Sequence, residues 1–137
     1  MFDICHVFSN SLFEGKTQGI IAVRTSFNLI SWSDYNVVNT GGSAGSSTGS
    51  AECPFVVFLN GYYYLFRTSC YRPAKNHVYR SRNPMDFGLD TDDRKVTTLT
   101  AAAPEIIQIG KQFYISTVED LEDGIKVAKL GWDPPLE

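Results

Sequence analysis

Residues that usually announce chemistry are scarce in this chain, which has three cysteines and two histidines among 137 residues. Cys5, Cys53 and Cys70 are too few and too scattered for a disulfide scaffold. No CxxC pair or histidine cluster offers zinc spacing, and His6 and His77 each stand alone, so no metal or other cofactor is expected. The cysteines read as small buried hydrophobes, with a Cys53–Cys70 bridge as the lesser alternative. Basic runs are lacking as well. Twelve lysines and arginines against 15 acids leave a net charge of −3, and no basic stretch is interleaved with aromatics as a phosphate-tracking groove requires. Nucleic acid is therefore not an expected partner. No apolar run approaches the roughly 20 residues of a membrane span, so neither is a membrane. The start, MFDICHVFSN, has neither the positive beginning nor the continuous apolar middle of a secretion signal. The localisation of any longer parent, including a secreted or periplasmic one, stays open.

Helical periodicity is nearly absent too, and strand patterns fill the space it leaves. The chain is 43% hydrophobic and 13% aromatic, a composition that suits sheet. Short runs rich in β-branched and aromatic residues, such as PFVVFLN, YYYLFRTS, HVYRS, PEIIQI, KQFYIST and GIKVAKL, are bounded by Gly, Asn, Pro or Asp. Asn60-Gly61 reads as a two-residue hairpin turn, where both residues need positive φ. A matching break falls at Gly110-Lys111. EDLEDG, residues 119–124, lacks an EF-hand pattern and reads as a solvated turn.

The runs repeat. Pro54 and Pro104 each open a strand, Gly61 and Gly110 each lie in the next turn, and Tyr64 and Phe113 lie in the returning strands. VRTSFNLISW and VYRSRNPMDF also correspond, aligning Val23, Ser26, Asn28 and Trp32 with Val78, Ser81, Asn83 and Phe87. A repeat of this size, built from about four short strands, is one propeller blade. The expected architecture is all-β: a partial β-propeller of about two and a half four-stranded antiparallel blades, over residues 2–39, 54–100 and 104–133. NTGGSAGSSTGS, residues 39–50, reads as a flexible polar linker. Blades bury their faces against neighbours, so an open stack leaves apolar sheet uncovered. The chain is thus expected to be a fragment or incomplete product, or else to self-associate through its exposed blade faces.

AECPFVVFLNGYYYLFRTS, followed by VYRSRNPMDFG, APEIIQIGKQFYIS and GIKVAKLGW, resembles the middle blades, roughly the second to fourth, of the five-bladed propeller glycosidases of glycoside hydrolase families 43 and 32. VRTSFNLISWSDY is similar to the outer strands of the preceding blade. The resemblance implies that the acid opening the third blade, here Glu52, is the proton donor in a sugar pocket. The implied substrate is an oligosaccharide or polysaccharide of plant or fructan type.

The reaction class explains why an acid is needed. Glycoside cleavage passes through an oxocarbenium-like state, in which one carboxylic acid protonates the departing oxygen while a second carboxylate attacks the sugar or activates water. A donor glutamate performs best when its surroundings raise its pKa from about 4.3 towards about 6. Cys53, Pro54 and Phe55 supply part of an apolar setting beside Glu52. The plain alternative is a solvated acid at a strand start. The partner aspartates that the resemblance implies have no motif here, and Asp3 reads as a structural or surface acid. The isolated chain is therefore expected to be catalytically incompetent. Arg67 and Thr68 are candidates for binding a sugar hydroxyl or orienting Glu52, against the alternative of an ordinary strand end. Glu105 is a candidate hydroxyl acceptor, with a strand-edge role as the alternative. Tyr62, Tyr63 and Tyr64 offer stacking faces, although alternation sends at least one ring into packing. Two function classes stand at this point: a glycosidase segment, or a non-catalytic propeller segment that binds carbohydrate or serves assembly.

Overall fold

The computed structural model describes residues 5–13, 16–118 and 124–132, with side chains from residue 19 onward. Asp3, the side chains of Cys5 and His6, and most of EDLEDG lie outside the described residues. Ten strands form three antiparallel sheets. Sheet 1 orders β1 (Cys5–Phe13), β2 (Lys16–Ser26) and β3 (Asn36–Thr40). Sheet 2 orders β4 (Glu52–Leu59), β5 (Tyr62–Tyr71), β6 (Ala74–Ser81) and β7 (Lys95–Leu99). Sheet 3 orders β8 (Ile106–Ile109), β9 (Gln112–Val118) and β10 (Ile125–Leu130). Among the described residues helix is limited to two short 3-10 turns, Gly42–Ala44 and Thr48–Ser50.

Sheet 2 is covered on both sides, and its sequence shows why. Alternate residues point to opposite faces, so a strand between two sheets must be apolar in both registers. Leu65, Tyr79 and Phe87 pack on Ile21, Val23 and Val38 of sheet 1. Tyr64, Phe66 and Val78 pack on Ile115 of sheet 3, with Ile106, Leu130 and Trp132 beside it. The Trp132 ring lies 4.6 Å from Tyr64 and 5.8 Å from Phe113. Three sheets stacked face on face in chain order make an all-β partial propeller.

The turns refine the repeat. Asn60 and Gly61 both take positive φ, 51° and 80°, as a type I′ hairpin turn needs. In sheet 3 the positive position is Gly110, at 60°, with Ile109 paired to Gln112. Leu59 pairs with Tyr62 in the same way. Gly110 therefore takes the place of Asn60, and Tyr114 that of Tyr64. The expected matching of Gly61 with Gly110 and Tyr64 with Phe113 is one residue out, because a turn with glycine at its first position fits type II′. The second correspondence is visible in the hydrogen bonds: Asn28 N donates to Ser26 Oγ at 3.2 Å and Asn83 N to Ser81 Oγ at 3.0 Å.

Two expectations are corrected. Residues 39–50 are tied to the fold, with Asn39 and Ser50 buried. Cys53 and Cys70 are both free, and Cys53 is exposed rather than buried. The Cys53 thiol lies 3.2 Å from the Tyr71 hydroxyl, whereas the Cys70 thiol donates to the Arg72 carbonyl at 3.3 Å.

Candidate active site

Glu52 opens β4, an edge strand of sheet 2 that lies against β1 and β2 of sheet 1. It is half-buried and paired with Thr68. Register shifts between Glu52 and Phe55, where Cys53 takes a φ of 44°. Irregularities of this kind re-aim side chains at strand ends. Sheet 3 opens on the same backbone: Ala103 also has a φ of 44°, and Val118 N donates to the Ala102 carbonyl at 3.0 Å. Ala102, at the position matching Glu52, is fully buried. The backbone feature is thus shared, and the acid is particular to sheet 2.

Tyr71 joins Glu52 and Cys53. Its hydroxyl is held above the ordinary phenol range by burial first, then by the Cys53 thiol and by the Glu52 carboxylate beside it. Three polar groups therefore converge at one strand end. Period-two alternation did not single out Tyr71, because the register between β5 and β6 shifts between Thr68 and Cys70.

Arg67 and Thr68 prove to be organisers of the backbone. Arg67 is fully buried, and all five of its N–H donors are engaged. Nε donates to the Ser50 carbonyl at 2.6 Å, Nη1 to Asn39 Oδ1 at 2.9 Å and to the Gly41 carbonyl at 3.4 Å, and Nη2 to the Gly45 carbonyl at 2.5 Å and Ser50 Oγ at 3.2 Å. No donor remains uncommitted, and its acceptors all belong to residues 39–50. Burial is the main influence on it and pulls its pKa down. Thr68 is also fully buried, and its Oγ1 accepts from Ala103 N at 2.9 Å and Asn76 Nδ2 at 3.1 Å. Successive residues of β5 thus hold the segments leading into sheets 2 and 3. Glu105 is exposed, and its backbone is anchored by Ser116, whose Oγ accepts from Glu105 N at 3.2 Å.

His77 is buried, 3.0 Å from Ser69 Oγ through Nε2. Burial first, then the cations Lys95, Arg67 and Lys75, lower its pKa to about 4. Tyr64 is packed in the core, while the Tyr63 ring lies tilted against Phe58, 4.7 Å between centroids. Tyr62 lies under the guanidinium groups of Arg80 and Arg82, at 4.6 and 4.9 Å. Those residues line a cleft of about 450 Å³ with Arg94 and Lys95. The cleft is at the hairpin end of β4 and β5, the opposite end from Glu52, and the sequence reading did not find it. Its arginines come from β6 and the segment after it, brought beside Tyr62 by pairing of β6 with β5.

A comparison with known protein families and one with curated proteins each found no match. Among solved structures, this chain is similar to the exo-β-1,3-galactanase of Phanerochaete chrysosporium, crystallised as a glutamate-to-alanine variant with β-1,3-galactotriose. The likeness is one of fold. The TM-score is 0.73 over 93% of this chain at 18% identity, and the match spans 32% of the galactanase chain. The three stacked sheets are therefore a propeller segment of the kind found in a glycoside hydrolase.

Proposed function

We propose that this chain is the acid-bearing segment of a propeller glycosidase, with Glu52 as the proton donor to the leaving glycosidic oxygen. One observation carries the reading: positions 52 and 102 each precede a residue with a φ of 44°, yet position 102 is a buried alanine and position 52 a half-buried acid. Folding of this opening does not call for a carboxylate, so its presence in sheet 2 fits a chemical role. The propeller likeness to a galactanase supports a glycan substrate, with a β-linked galactan or another plant-type or fructan-type polymer as the class. The resemblance to families 43 and 32 and the assignment to the second to fourth blades belong to the same proposal.

In this mechanism Glu52 holds a proton at its carboxyl oxygen and delivers it as the C–O bond breaks. Tyr71 positions the carboxyl group, and Cys53 buttresses the Tyr71 hydroxyl. Arg67 fixes residues 39–50, which set the direction from which Glu52 enters the site. The second carboxylate, needed to activate water or attack the sugar, is supplied from elsewhere in the assembled propeller. In the assembly that supplies it, Glu52→Gln should lower turnover by about 10²–10⁴-fold on glycosides with poor leaving groups. Aryl glycosides with good leaving groups should lose far less. Equal losses on both, or none, would remove Glu52 from the donor role. The non-catalytic alternative is favoured by the lack of a recognisable second-carboxylate motif; it predicts saccharide binding with no hydrolysis in any assembly.

A further inference from the structure

The cleft at Tyr62 carries a charge opposite to that of the chain as a whole. Arg80, Arg82, Arg94 and Lys95 line it against one acid, Asp93, in a chain of net charge −3. Two of these cations are already engaged: Arg94 Nη2 pairs with Asp86 Oδ2 at 2.5 Å, and Lys95 Nζ donates to Ser43 Oγ at 2.6 Å. Arg80 and Arg82 differ. Their guanidinium groups lie 4.6 and 4.9 Å from the centre of the Tyr62 ring, and among the described residues no carboxylate pairs with either. Two positive charges held this close to one ring repel each other, and an anion placed between them relieves that. Arg82 Nη2 also donates to the Tyr62 hydroxyl at 3.0 Å. That bond comes first among the influences that lower the Tyr62 pKa, ahead of the charges of Arg82 and Arg80. The hydroxyl accepts it and still has its own proton to donate.

The cleft belongs to the middle of the stack. Its lining residues all come from sheet 2 or the loop between β6 and β7, and sheet 2 has a sheet on either side. Arg80 follows Val78 by two residues on β6, so it points to the side where Val78 packs toward sheet 3. The repeat supplies a comparison, because Thr25 and Phe27 of sheet 1 align with Arg80 and Arg82. There sheet 2 and its loop are in place, yet Thr25 is only half-buried and Phe27 is 70% exposed. A following sheet therefore leaves this corner open.

The lining selects its ligand. Planar guanidinium forks match the two oxygens of a carboxylate. Asp93 repels a polyanion but can accept bonds from hydroxyls. A molecule with a carboxylate set among several hydroxyls satisfies both, and the volume of about 450 Å³ lies within the range of small-ligand sites.

We propose that this cleft is a second saccharide site, which binds the carboxylate of a uronic acid unit between Arg80, Arg82 and the Tyr62 hydroxyl while Asp93 receives sugar hydroxyls. The saccharide part rests on the glycosidase reading. The preference for a carboxylate rests on the cleft alone.

Titrating the chain with digalacturonate, β-1,3-galactobiose and inorganic phosphate, followed by backbone amide NMR, tests it. Digalacturonate should give saturable shifts at Tyr62, Arg80 and Arg82 that weaken as salt is added. Galactobiose should leave those amides unmoved, and phosphate should bind there at least about tenfold more weakly. Arg80→Gln and Arg82→Gln should each weaken digalacturonate binding about tenfold, whereas Lys75→Gln, an exposed cation at the far end of β6, should not. Glu52→Gln should bind digalacturonate like the wild type, so failure of the donor role and failure of this site show separately. No saturable shift with digalacturonate, equal shifts with galactobiose, phosphate binding as tightly as digalacturonate, or unchanged affinity in both arginine variants would overturn the proposal.

Discussion

The segments that lead into sheets 2 and 3 do the same task by different means. Into sheet 2 the chain arrives through residues 39–50, rich in glycine and serine, with carbonyls that a single buried guanidinium gathers. Into sheet 3 it arrives by a short stretch, where the Thr117 hydroxyl accepts from Ala102 N at 2.8 Å. Thr117 stands where sheet 2 has Arg67. The difference shows how a repeated scaffold specialises: a compact opening closes on an alanine, while a longer, clasped one holds an acid half in solvent.

Removing the clasp is expected to have the largest effect. Arg67→Met leaves buried acceptors on Ser50, Gly45 and Asn39 without donors, and should lower stability by about 3–5 kcal/mol in urea denaturation. Arg67→Lys should recover little, because an ammonium has three donors and no planar fork. A loss under about 1 kcal/mol would show that residues 39–50 hold without it.

Exchanging the two openings sharpens the comparison further. Ala102→Glu puts a carboxylate into a fully buried position and should cost at least about 2 kcal/mol. Glu52→Ala should change stability by no more than about 0.5 kcal/mol. Comparable losses at both positions would make Glu52 a structural residue.

The smallest effect concerns pH. His77, buried in sheet 2 like Arg67, is held neutral in the folded state, with its pKa lowered from 6.5 to about 4. The unfolded chain takes up the proton first as pH falls, so the contribution is complete above about 6.5 and is lost towards about 4. His77→Gln should flatten the fall in urea midpoint across that window relative to wild type. An unchanged pH profile would mean that His77 titrates alike in both states.

Much of the fold was legible in the sequence, because strand alternation and turn residues are local. The hairpin at Asn60-Gly61 and the correspondence of VRTSFNLISW with VYRSRNPMDF are both present in the structure. The single-residue slip at Gly110 arose because glycine satisfies either position of a two-residue turn, and only strand register decides between them. Residues 39–50 read as flexible because what holds them is distant in sequence: Arg67, and Asp90 and Asp92 farther along the chain. Arginine suits sugar binding as well as carbonyl clasping, and the full burial of Arg67 is not visible in the sequence. Cys53 and Tyr71 were not linked, since irregular register on both sides of β5 brings them together.

The central claim is that the acid opening sheet 2 meets a sugar. Titrating the chain with β-1,3-linked galacto-oligosaccharides and following backbone amide shifts by NMR tests this directly. Saturable changes are predicted at Glu52, Cys53 and Tyr71, with none at Ala102 or Ala103. Changes confined to the cleft around Tyr62 and Arg80, or no saturable change at Glu52, would contradict the account.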